Sequence, residues 1–250
     1  MKRKITVHEA YDLDQTDIAK LLMQTLQGEG YCMHEGRNKV VQLTLKGNDY
    51  VVKQYKRANW LQRIAYKLWR PSKAKRAYLY ARELRIRGLN TPHEVAYVEE
   101  YKWGLFYRGW FVSEYVPYPE IYIPLNYQLN ADMASAVTAL VVKLHRRGVI
   151  FGDLNLHNML YEPMPEGDYK LYLVDTNRCK FYYRQLGFWQ RMWNLQTLTH
   201  NRELFDYILK QYALQTKLDR KEVLSKGMLI LDCFEKRNAL KQNLKKWLHL

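Results

Sequence analysis

The sequence contains no run of about 18 apolar residues, so it predicts no membrane-spanning helix. The basic start, Met1–Lys4, is followed by acidic residues and not by an apolar stretch, which predicts no signal peptide. Cysteine is sparse. Cys32, Cys179 and Cys233 lie far apart, without the spacing of a zinc site or a disulfide framework. These absences favour a protein of the reducing cytoplasm, one that can still contact a membrane surface.

Acidic residues are also scarce, with 25 Asp and Glu against 40 Lys and Arg and a formal net charge of +15. A field of that sign attracts polyanions such as nucleic acid, anionic lipid and phosphorylated glycans. It argues against a cationic substrate such as an aminoglycoside. The imbalance is greatest in the basic segment 56–87, whose only acidic residue is Glu83. With its interleaved aromatic residues, this segment is a candidate contact to an anionic surface, although a solvated helix face has the same composition.

The first half of the chain has the pattern of a small antiparallel sheet. A helix is predicted near residues 14–26. Strands with turn residues at hairpin spacing follow at 31–34, 40–45, 50–55, 94–100 and 109–115. Pro71 and Ser72 begin a second helix, and Gly88 ends it. Because the prolines near 117 cannot continue a sheet ladder, we predict a boundary between residues 1–115 and a mostly helical part, 116–250.

The stretch from Leu144 to Tyr161 carries the clearest chemical signal. Gly148 ends an apolar-periodic helix predicted over residues 131–147, and a short buried run follows. Asp153 and Asn158 then share a loop. A carboxylate there can accept a proton from a hydroxyl, and an amide oxygen can help to bind Mg²⁺. A polar loop between core elements explains the same residues equally well, so the decision depends on partners elsewhere in the chain.

Three residues supply candidate partners. Asp175 follows a strand predicted at 169–174, a common place for a metal-binding carboxylate and also for a capping Asp. Lys53 lies on the third strand of the sheet, and Glu83 lies near the inward face of the second helix. An ion pair between them would direct the Lys53 ammonium at nucleotide phosphates. The alternatives are a solvated lysine and a glutamate paired with a neighbouring arginine.

The order of these parts resembles the protein-kinase fold, and Asp153 and Asn158 have the spacing of the kinase catalytic loop. Within that superfamily the chain most resembles the bacterial lipopolysaccharide kinases, which are the Kdo and heptose kinases and their InaA-like relatives. The matching stretches are 36–38, 52–57, 88–92 and 152–158. The resemblance implies an α+β, two-lobed fold. Its N-lobe would hold a small antiparallel β-sheet with one main helix, and its C-lobe would be mostly helical.

The resemblance further implies an ATP- and Mg²⁺-dependent phosphotransferase. Adenine would bind near the backbone of Glu114 and Val116. The phosphates would bind near Lys53, held by Glu83, and near the turn Gly36-Arg37-Asn38.

On the same resemblance, Asn158 and Asp175 would coordinate Mg²⁺, and Asp153 would accept the proton of the attacking hydroxyl. The acceptor would be a sugar hydroxyl of the anionic lipid A–core glycolipid, at the cytoplasmic face of the inner membrane. Nucleic acid is disfavoured as the partner.

The chain departs from protein kinases in three ways. Phe151-Gly152 stands where His-Arg is usual, Asp175-Thr176-Asn177 replaces Asp-Phe-Gly, and no Ala-Pro-Glu follows. These departures disfavour a regulated protein kinase but remove no phosphate- or metal-binding residue. Two alternatives stay open: a Rio-like atypical protein kinase, and a pseudokinase that binds RNA or anionic lipid.

Overall fold

The structure is a computed structural model that describes residues 2–60, 63, 66 and 70–247. Part of the basic segment 56–87 therefore lies outside the described residues. The chain divides into a first unit, Met1–Pro117 with Asp175–Arg178, and a second unit, Tyr118–Val174 with Cys179–Leu250. The predicted boundary between 115 and 116 lies close to this division. The difference is that Asp175–Arg178 packs with the first unit although its sequence position is in the predicted second part.

The first unit is built on a six-stranded antiparallel sheet. In chain order its strands are β1 Lys2–Val7, β2 Tyr31–Glu35, β3 Lys39–Leu45, β4 Asn48–Gln54, β5 Glu94–Lys102 and β6 Leu105–Glu114. Across the sheet the order is β1-β5-β6-β4-β3-β2. The sequence did not predict β1, which extends the sheet by pairing with β5. Strand β4, which carries Lys53, lies between β3 and β6 and is therefore held on both sides.

Two helices of the first unit complete its core. Helix α1, Gln15–Gln27, begins at a capping box formed by Asp14 and Asp17 and buries Ile18, Leu21 and Leu22 against the sheet. Helix α2, Lys73–Ile86, begins at Ser72, whose hydroxyl accepts the backbone N–H of Lys75 at 3.1 Å. Its buried alanines allow close packing on the sheet.

Several arginines of the first unit are used inside it. Glu100 is fully buried, and its two carboxylate oxygens accept Nε of Arg3 and Nε of Arg108, each at 2.7 Å. Glu94 is fully buried as well and forms a two-point contact with Arg85. Buried carboxylates need such partners because an unpaired charge is costly away from water. Much of the basic charge here therefore stabilises the fold and does not face a ligand.

The second unit is mostly helical. In chain order it contains α3 Tyr122–Tyr127, α4 Ala131–Arg146, β7 Val149–Ile150, β8 Met159–Pro163, β9 Tyr169–Leu173, β10 Lys180–Phe181, α5 Phe188–Leu195, α6 Arg202–Thr216 and α7 Arg220–Trp247. Strand β7 pairs with β10, and β8 pairs with β9. Asn130 caps α4 by accepting the N–H of Met133 at 2.9 Å, as predicted. Within the described residues, none of the helices is long and apolar enough to cross a membrane.

Gly148 provides a test of how the chain leaves α4. Its φ is +69°, and an added Cβ would collide with the backbone oxygens of Tyr182 and Arg184. Gly148→Ala should lower the free energy of unfolding by about 2–5 kcal/mol, the sum of about 1–2 for a left-handed backbone and about 1–3 for a clash. Gly88 is the matched control, because its φ is +72° with nothing within 4 Å of the added Cβ. Gly88→Ala should cost only about 1–2 kcal/mol in urea denaturation, and equal losses in the two variants would contradict the clash.

Candidate active site

Lys53 forms the central ion pair of the first unit. Its Nζ lies 2.8 Å from Oδ1 of Asp175, and the two side chains are only 16% and 27% exposed. Salt screens such a shielded pair less than a surface pair. The Nζ also lies 5.7 Å from the ring centroid of Tyr55. The structure therefore brings together the predicted phosphate-binding lysine and one of the two predicted metal ligands.

The segment Asp175–Arg178 is held on helix α2. The hydroxyl of Thr176 donates to the backbone carbonyl of Ala77 at 3.0 Å, and both residues are buried. Asp175 itself has a φ of +60°, a left-handed conformation that residues with a side chain rarely adopt. Asn177 donates to Oδ1 of Asp175 from its side-chain amide. A strained backbone of this kind persists only when its surroundings hold it, and such residues cluster at functional sites.

Glu83 has a different partner from the one that the sequence predicts. Its Oε1 accepts Nε of Arg87 at 2.7 Å, one turn further along α2. Residues four apart on a helix are neighbours, so this pair needs no tertiary contact. The predicted ion pair between Lys53 and Glu83 is thus replaced in the structure by the Lys53–Asp175 and Glu83–Arg87 pairs. A contribution of Glu83 to ATP binding stays a prediction.

A group of cations lies at the start of α2, and sequence reasoning assigned only one of them, Arg37, to the site. Lys73, the first residue of α2, has its pKa lowered by burial and then by the nearby Arg37, Arg178 and Arg76. Asp175 acts in the opposite sense on the same pKa. Cations crowded together disfavour each other's charge, and an anion bound among them relieves that repulsion. The sequence signal was the density of basic residues, which does not tell which of them point inward.

Asp153 and Asn158 lie in the second unit, in the loop between β7 and β8, and both are half-buried. The side-chain amide nitrogen of Asn158 donates to the backbone carbonyl of Asp153 at 2.9 Å. The backbone N–H of Asn158 donates to Oδ1 of Asn155 at 3.2 Å. The loop therefore holds the two predicted residues together. The hydrogen bond from Asn158 to the Asp153 carbonyl uses the side-chain nitrogen of Asn158. The side-chain oxygen of Asn158 is the atom that could bind a hard cation.

The β8–β9 hairpin fixes the position of Asn158 along the chain. Met159 lies opposite Leu173 in the hairpin, and the N–H of Val174 donates to the carbonyl of Asn158 at 3.0 Å. The hairpin thus fixes the backbone of Asn158 beside Val174 within the second unit.

A buried network holds the residue pair that precedes Asp153. The Asn194 side chain, on α5, accepts the N–H of Phe151 at 3.2 Å and donates to its carbonyl at 2.7 Å. His145 contacts Asn194 through Nε2 at 3.3 Å and the Tyr212 hydroxyl through Nδ1 at 2.7 Å. Sequence reasoning missed Asn194, because one asparagine on a helix carries no signal of a contact 43 residues away.

The remaining predicted ATP-binding residues lie in the first unit. Gly36-Arg37-Asn38 form the β2–β3 turn, in which the N–H of the glycine donates to the Asn38 carbonyl at 3.2 Å. Glu114 ends β6, and its carboxylate accepts the Tyr11 hydroxyl at 2.7 Å. Val116 follows two residues later. Their contact with a nucleotide stays a prediction.

The residues present suit phosphoryl transfer with a divalent cation. Cations can neutralise phosphate charge, and a carboxylate can accept a hydroxyl proton. Among the residues that the structure describes, no group of three His, Cys, Asp or Glu side chains could hold a metal by itself. Mg²⁺ is compatible with so few protein ligands, because it is usually bound by one or two carboxylates together with substrate phosphates and water.

Comparisons with known proteins agree with this chemistry. The sequence model of the lipopolysaccharide kinase (Kdo/WaaP) family matches residues 23–214. The 3-deoxy-D-manno-octulosonic acid kinase of Vibrio vulnificus is 27% identical over 135 residues, covering 53% of this chain and 54% of that protein. The enzyme of the same description from Vibrio parahaemolyticus is 25% identical over 151 residues, covering 58% and 57%. The chain thus spans about half the length of the curated relatives it matches.

Solved structures support the fold. The structure of WaaP in complex with acyl carrier protein aligns with a TM-score of 0.62 at 17% identity, covering 94% of this chain and 97% of that chain. The amicoumacin kinase hAmiN in complex with AMP-PNP, Ca²⁺ and Ami aligns with a TM-score of 0.55 at 12% identity, covering 87% and 89%. At these identities the likeness shows the fold alone. It confirms the predicted α+β, protein-kinase-like fold class.

The neutral support of the loop predicts a pH dependence of stability. Burial lowers the pKa of His145 from its ordinary value of 6.5 to about 3. Between these values the unfolded chain binds a proton that the folded protein does not. The free energy of unfolding should therefore fall on acidification below pH 6.5, by up to about 1.4 kcal/mol per pH unit.

His145→Gln should flatten this slope between pH 6.5 and 5, measured by urea denaturation at each pH. An unaltered slope in His145→Gln would show that other groups cause the acid sensitivity.

Proposed function

Because this chain belongs to the lipopolysaccharide kinase (Kdo/WaaP) family, we propose that it transfers the γ-phosphate of ATP to a sugar hydroxyl of lipopolysaccharide. The acceptor is a Kdo or heptose of the lipid A–core. The observation that supports this most is the Lys53–Asp175 pair at 2.8 Å, since it joins the predicted phosphate-binding cation to a predicted metal-binding carboxylate. Relatives named 3-deoxy-D-manno-octulosonic acid kinase support the sugar class.

The first unit is proposed to bind the phosphates of ATP. In the proposed complex Lys53 exchanges Asp175 for the α- and β-phosphates of ATP, and Arg37 and Lys73 add positive charge to the same region. Asp175 and Asn158 are the Mg²⁺ ligands of the proposal. Held by these residues, the ion would help to neutralise the charge of the phosphates. The turn Gly36-Arg37-Asn38 contributes backbone N–H groups to the phosphates, other than that of Gly36, which donates to the Asn38 carbonyl.

The adenine base is proposed to bind at the backbone of Glu114 and Val116, at the end of β6. Glu114 is anchored there by Tyr11, whose hydroxyl lies 2.7 Å from the carboxylate. That bond fixes the side chain. The backbone N–H groups of Glu114 and Tyr115 donate to the carbonyls of His93 and Asp49, so the proposed contacts of the base are the Glu114 carbonyl and the backbone of Val116.

Asp153 is the residue proposed to act on the acceptor hydroxyl. Its carboxylate orients the sugar hydroxyl and accepts its proton as the oxygen attacks the γ-phosphorus. The bond of Asn158 to the Asp153 carbonyl and the hold of Asn194 on Phe151 restrict the loop. Positioning of this kind carries most of the catalysis in phosphoryl transfer, because the protein performs little covalent chemistry.

The proposed site of action is the cytoplasmic face of the inner membrane, where an anionic glycolipid acceptor suits a chain of charge +15. The basic segment 56–87 is the contact that the sequence suggests. The structure uses several of its arginines internally: Arg76 is buried, Arg85 pairs with Glu94, and Arg87 pairs with Glu83. The segment's exposed share of charge is therefore smaller than its composition indicates.

Asp153→Asn tests the proposed base. The variant keeps the shape of the side chain but cannot accept the proton, so kcat should fall by about 10²–10⁴-fold with little change in the KM for ATP. The assay is Mg²⁺-dependent transfer of labelled γ-phosphate to lipid A–core glycolipid, with a protein extract offered in parallel. Asp168→Asn, at an exposed position of the β8–β9 turn, is the matched control and should retain full activity.

Label in the glycolipid that survives Asp153→Asn would contradict the role of Asp153. Label in protein alone would contradict the sugar acceptor and favour the atypical protein kinase.

Asp175→Asn and Glu83→Gln test which carboxylate serves Lys53. Asp175→Asn removes both the partner of Lys53 and a metal ligand, so it should abolish Mg²⁺-dependent transfer. Glu83→Gln loses only a partly exposed pair with Arg87, worth about 0.5 kcal/mol, and should keep near-normal kcat. The opposite pattern, with Glu83→Gln inactive, would restore the Lys53–Glu83 pair as the working arrangement.

A further inference from the structure

The last helix, α7, carries an exposed apolar stripe along one side. Its members share one face of the helix and are all exposed: Leu229, Cys233, Leu240, Leu244 and Trp247. They recur at intervals of three, four and seven residues, which keeps them aligned on a helix of 3.6 residues per turn. At about 1.5 Å per residue the stripe is about 27 Å long. Leu240 is 69% exposed and Trp247 is 76% exposed.

The second half of α7 is not built to pack on its own unit. In the first half, Val223, Ile230 and Leu231 are buried. The same side of the helix continues as the exposed Lys241 in the second half, by helical periodicity. From residue 235 onward, no residue with a described side chain is buried. The apolar side of the helix thus moves by about a third of a turn, away from the core and into solvent.

The flanks of the stripe are strongly basic. Lys236, Arg237, Lys241, Lys245 and Lys246 occur between 236 and 247, and this stretch has no acidic residue. The acidic residues just before it are engaged, because Asp232 and Glu235 both pair with Arg202. The end of α7 therefore combines exposed leucines and a tryptophan with a stretch of basic residues that contains no acidic residue.

Two tryptophans of α5 enlarge this surface. Trp189 and Trp193 lie one turn apart and are each about half exposed. The Arg237 guanidinium carbon lies 5.9 Å from the Trp193 ring centroid, so α5 and the base of the stripe are adjacent. Tryptophan beside Lys and Arg is the composition of segments that lie at a membrane–water interface.

We propose that the second half of α7, with Trp189 and Trp193, docks on an anionic lipid surface. The stripe inserts among the acyl chains near the headgroups, and the flanking cations bind lipid phosphate. This surface is distinct from the basic segment 56–87, and the inference does not depend on phosphotransfer by the chain.

Charge and shape favour lipid over the other occupants. A second copy would bring the same five cations against these five, which like-charge repulsion opposes. Nucleic acid would engage the cations but leave the leucines and Trp247 in water. A narrow apolar stripe with Lys and Arg on both sides needs only an apolar layer beneath a layer of negative charge, and an anionic membrane supplies both.

The test is sedimentation of the full chain with phosphatidylcholine vesicles and with equimolar phosphatidylcholine and phosphatidylglycerol vesicles. Wild type should bind the anionic vesicles and bind the neutral ones at least tenfold more weakly. Leu240→Gln with Leu244→Gln should weaken anionic binding by at least tenfold. The matched control is Leu129→Gln with Leu214→Gln, which removes two exposed leucines elsewhere in the second unit and should bind as wild type does.

Cys233 gives a direct readout of insertion, because it lies on the stripe and is exposed. A polarity-sensitive fluorophore on Cys233, in a Cys32→Ser background, should shift to the blue on anionic vesicles. The same fluorophore on the exposed Cys32, in a Cys233→Ser background, should not shift. Buried Cys179 stays unlabelled in the folded protein.

Three outcomes would overturn the proposal: no binding of wild type to anionic vesicles, equal binding of the Leu240/Leu244 variant, or no shift at Cys233. Sedimentation velocity tests the alternative that a second copy of the chain covers the stripe. A wild-type dimer that dissociates in the Leu240/Leu244 variant would assign the stripe to self-association. If the wild-type chain shows no kinase activity but binds vesicles through the stripe, the proposed function is contradicted and this inference still holds.

Discussion

The Lys53–Asp175 ion pair is the contact on which the rest of the candidate site depends. It joins a strand inside the sheet to a segment that lies far along the chain, and this segment packs with the first unit although its neighbours in sequence do not. Removing the Asp175 carboxylate would leave the shielded Lys53 ammonium without this partner, which is costly. Under the proposed function, nucleotide phosphates take the place of Asp175 beside Lys53, and Mg²⁺ takes the place of Lys53 beside Asp175. The site then stays electrically balanced with and without its substrate.

The two units support their functional residues in different ways. In the first, Lys73 lies near three arginines with Asp175 as the nearby carboxylate, so an added anion would relieve repulsion among these cations. The second holds its loop with neutral groups, since His145 has a pKa of about 3 and is uncharged near neutrality. The side-chain amide of Asn194 bonds both the N–H and the carbonyl of Phe151, as the backbone of a neighbouring strand would. Neutral bonds of this kind hold a loop in position without adding a charge that would alter the basicity of a nearby carboxylate.

The distribution of charge is a second theme of the structure. A count of basic residues points to segment 56–87, but many cations of the first unit neutralise buried carboxylates such as Glu94 and Glu100. The end of α7 has fewer cations and no acidic residue, and it adds exposed leucines and tryptophan. Net charge alone therefore does not locate an interaction surface. What matters is which charges remain without a partner, and whether apolar side chains accompany them.

Local chemistry made much of the fold predictable. Turn residues marked the β2–β3–β4 meander, Ser72 and Asn130 marked helix starts, and Gly148 marked a helix end, because these signals act through neighbours in the chain. Strand β1 was missed, since its formation depends on pairing with β5, which is distant in sequence.

The sequence by itself determined the type and order of the functional groups: a lysine on a sheet strand, an Asp and an Asn in one loop, and an Asp after a strand. Only the tertiary structure decided their partners. It paired Lys53 with Asp175, left Glu83 to Arg87, and assigned Asn194 to the loop. The physical reason is that residue type and spacing set what a side chain can bond to. Which of several possible partners is within about 3 Å depends on how distant parts of the chain pack.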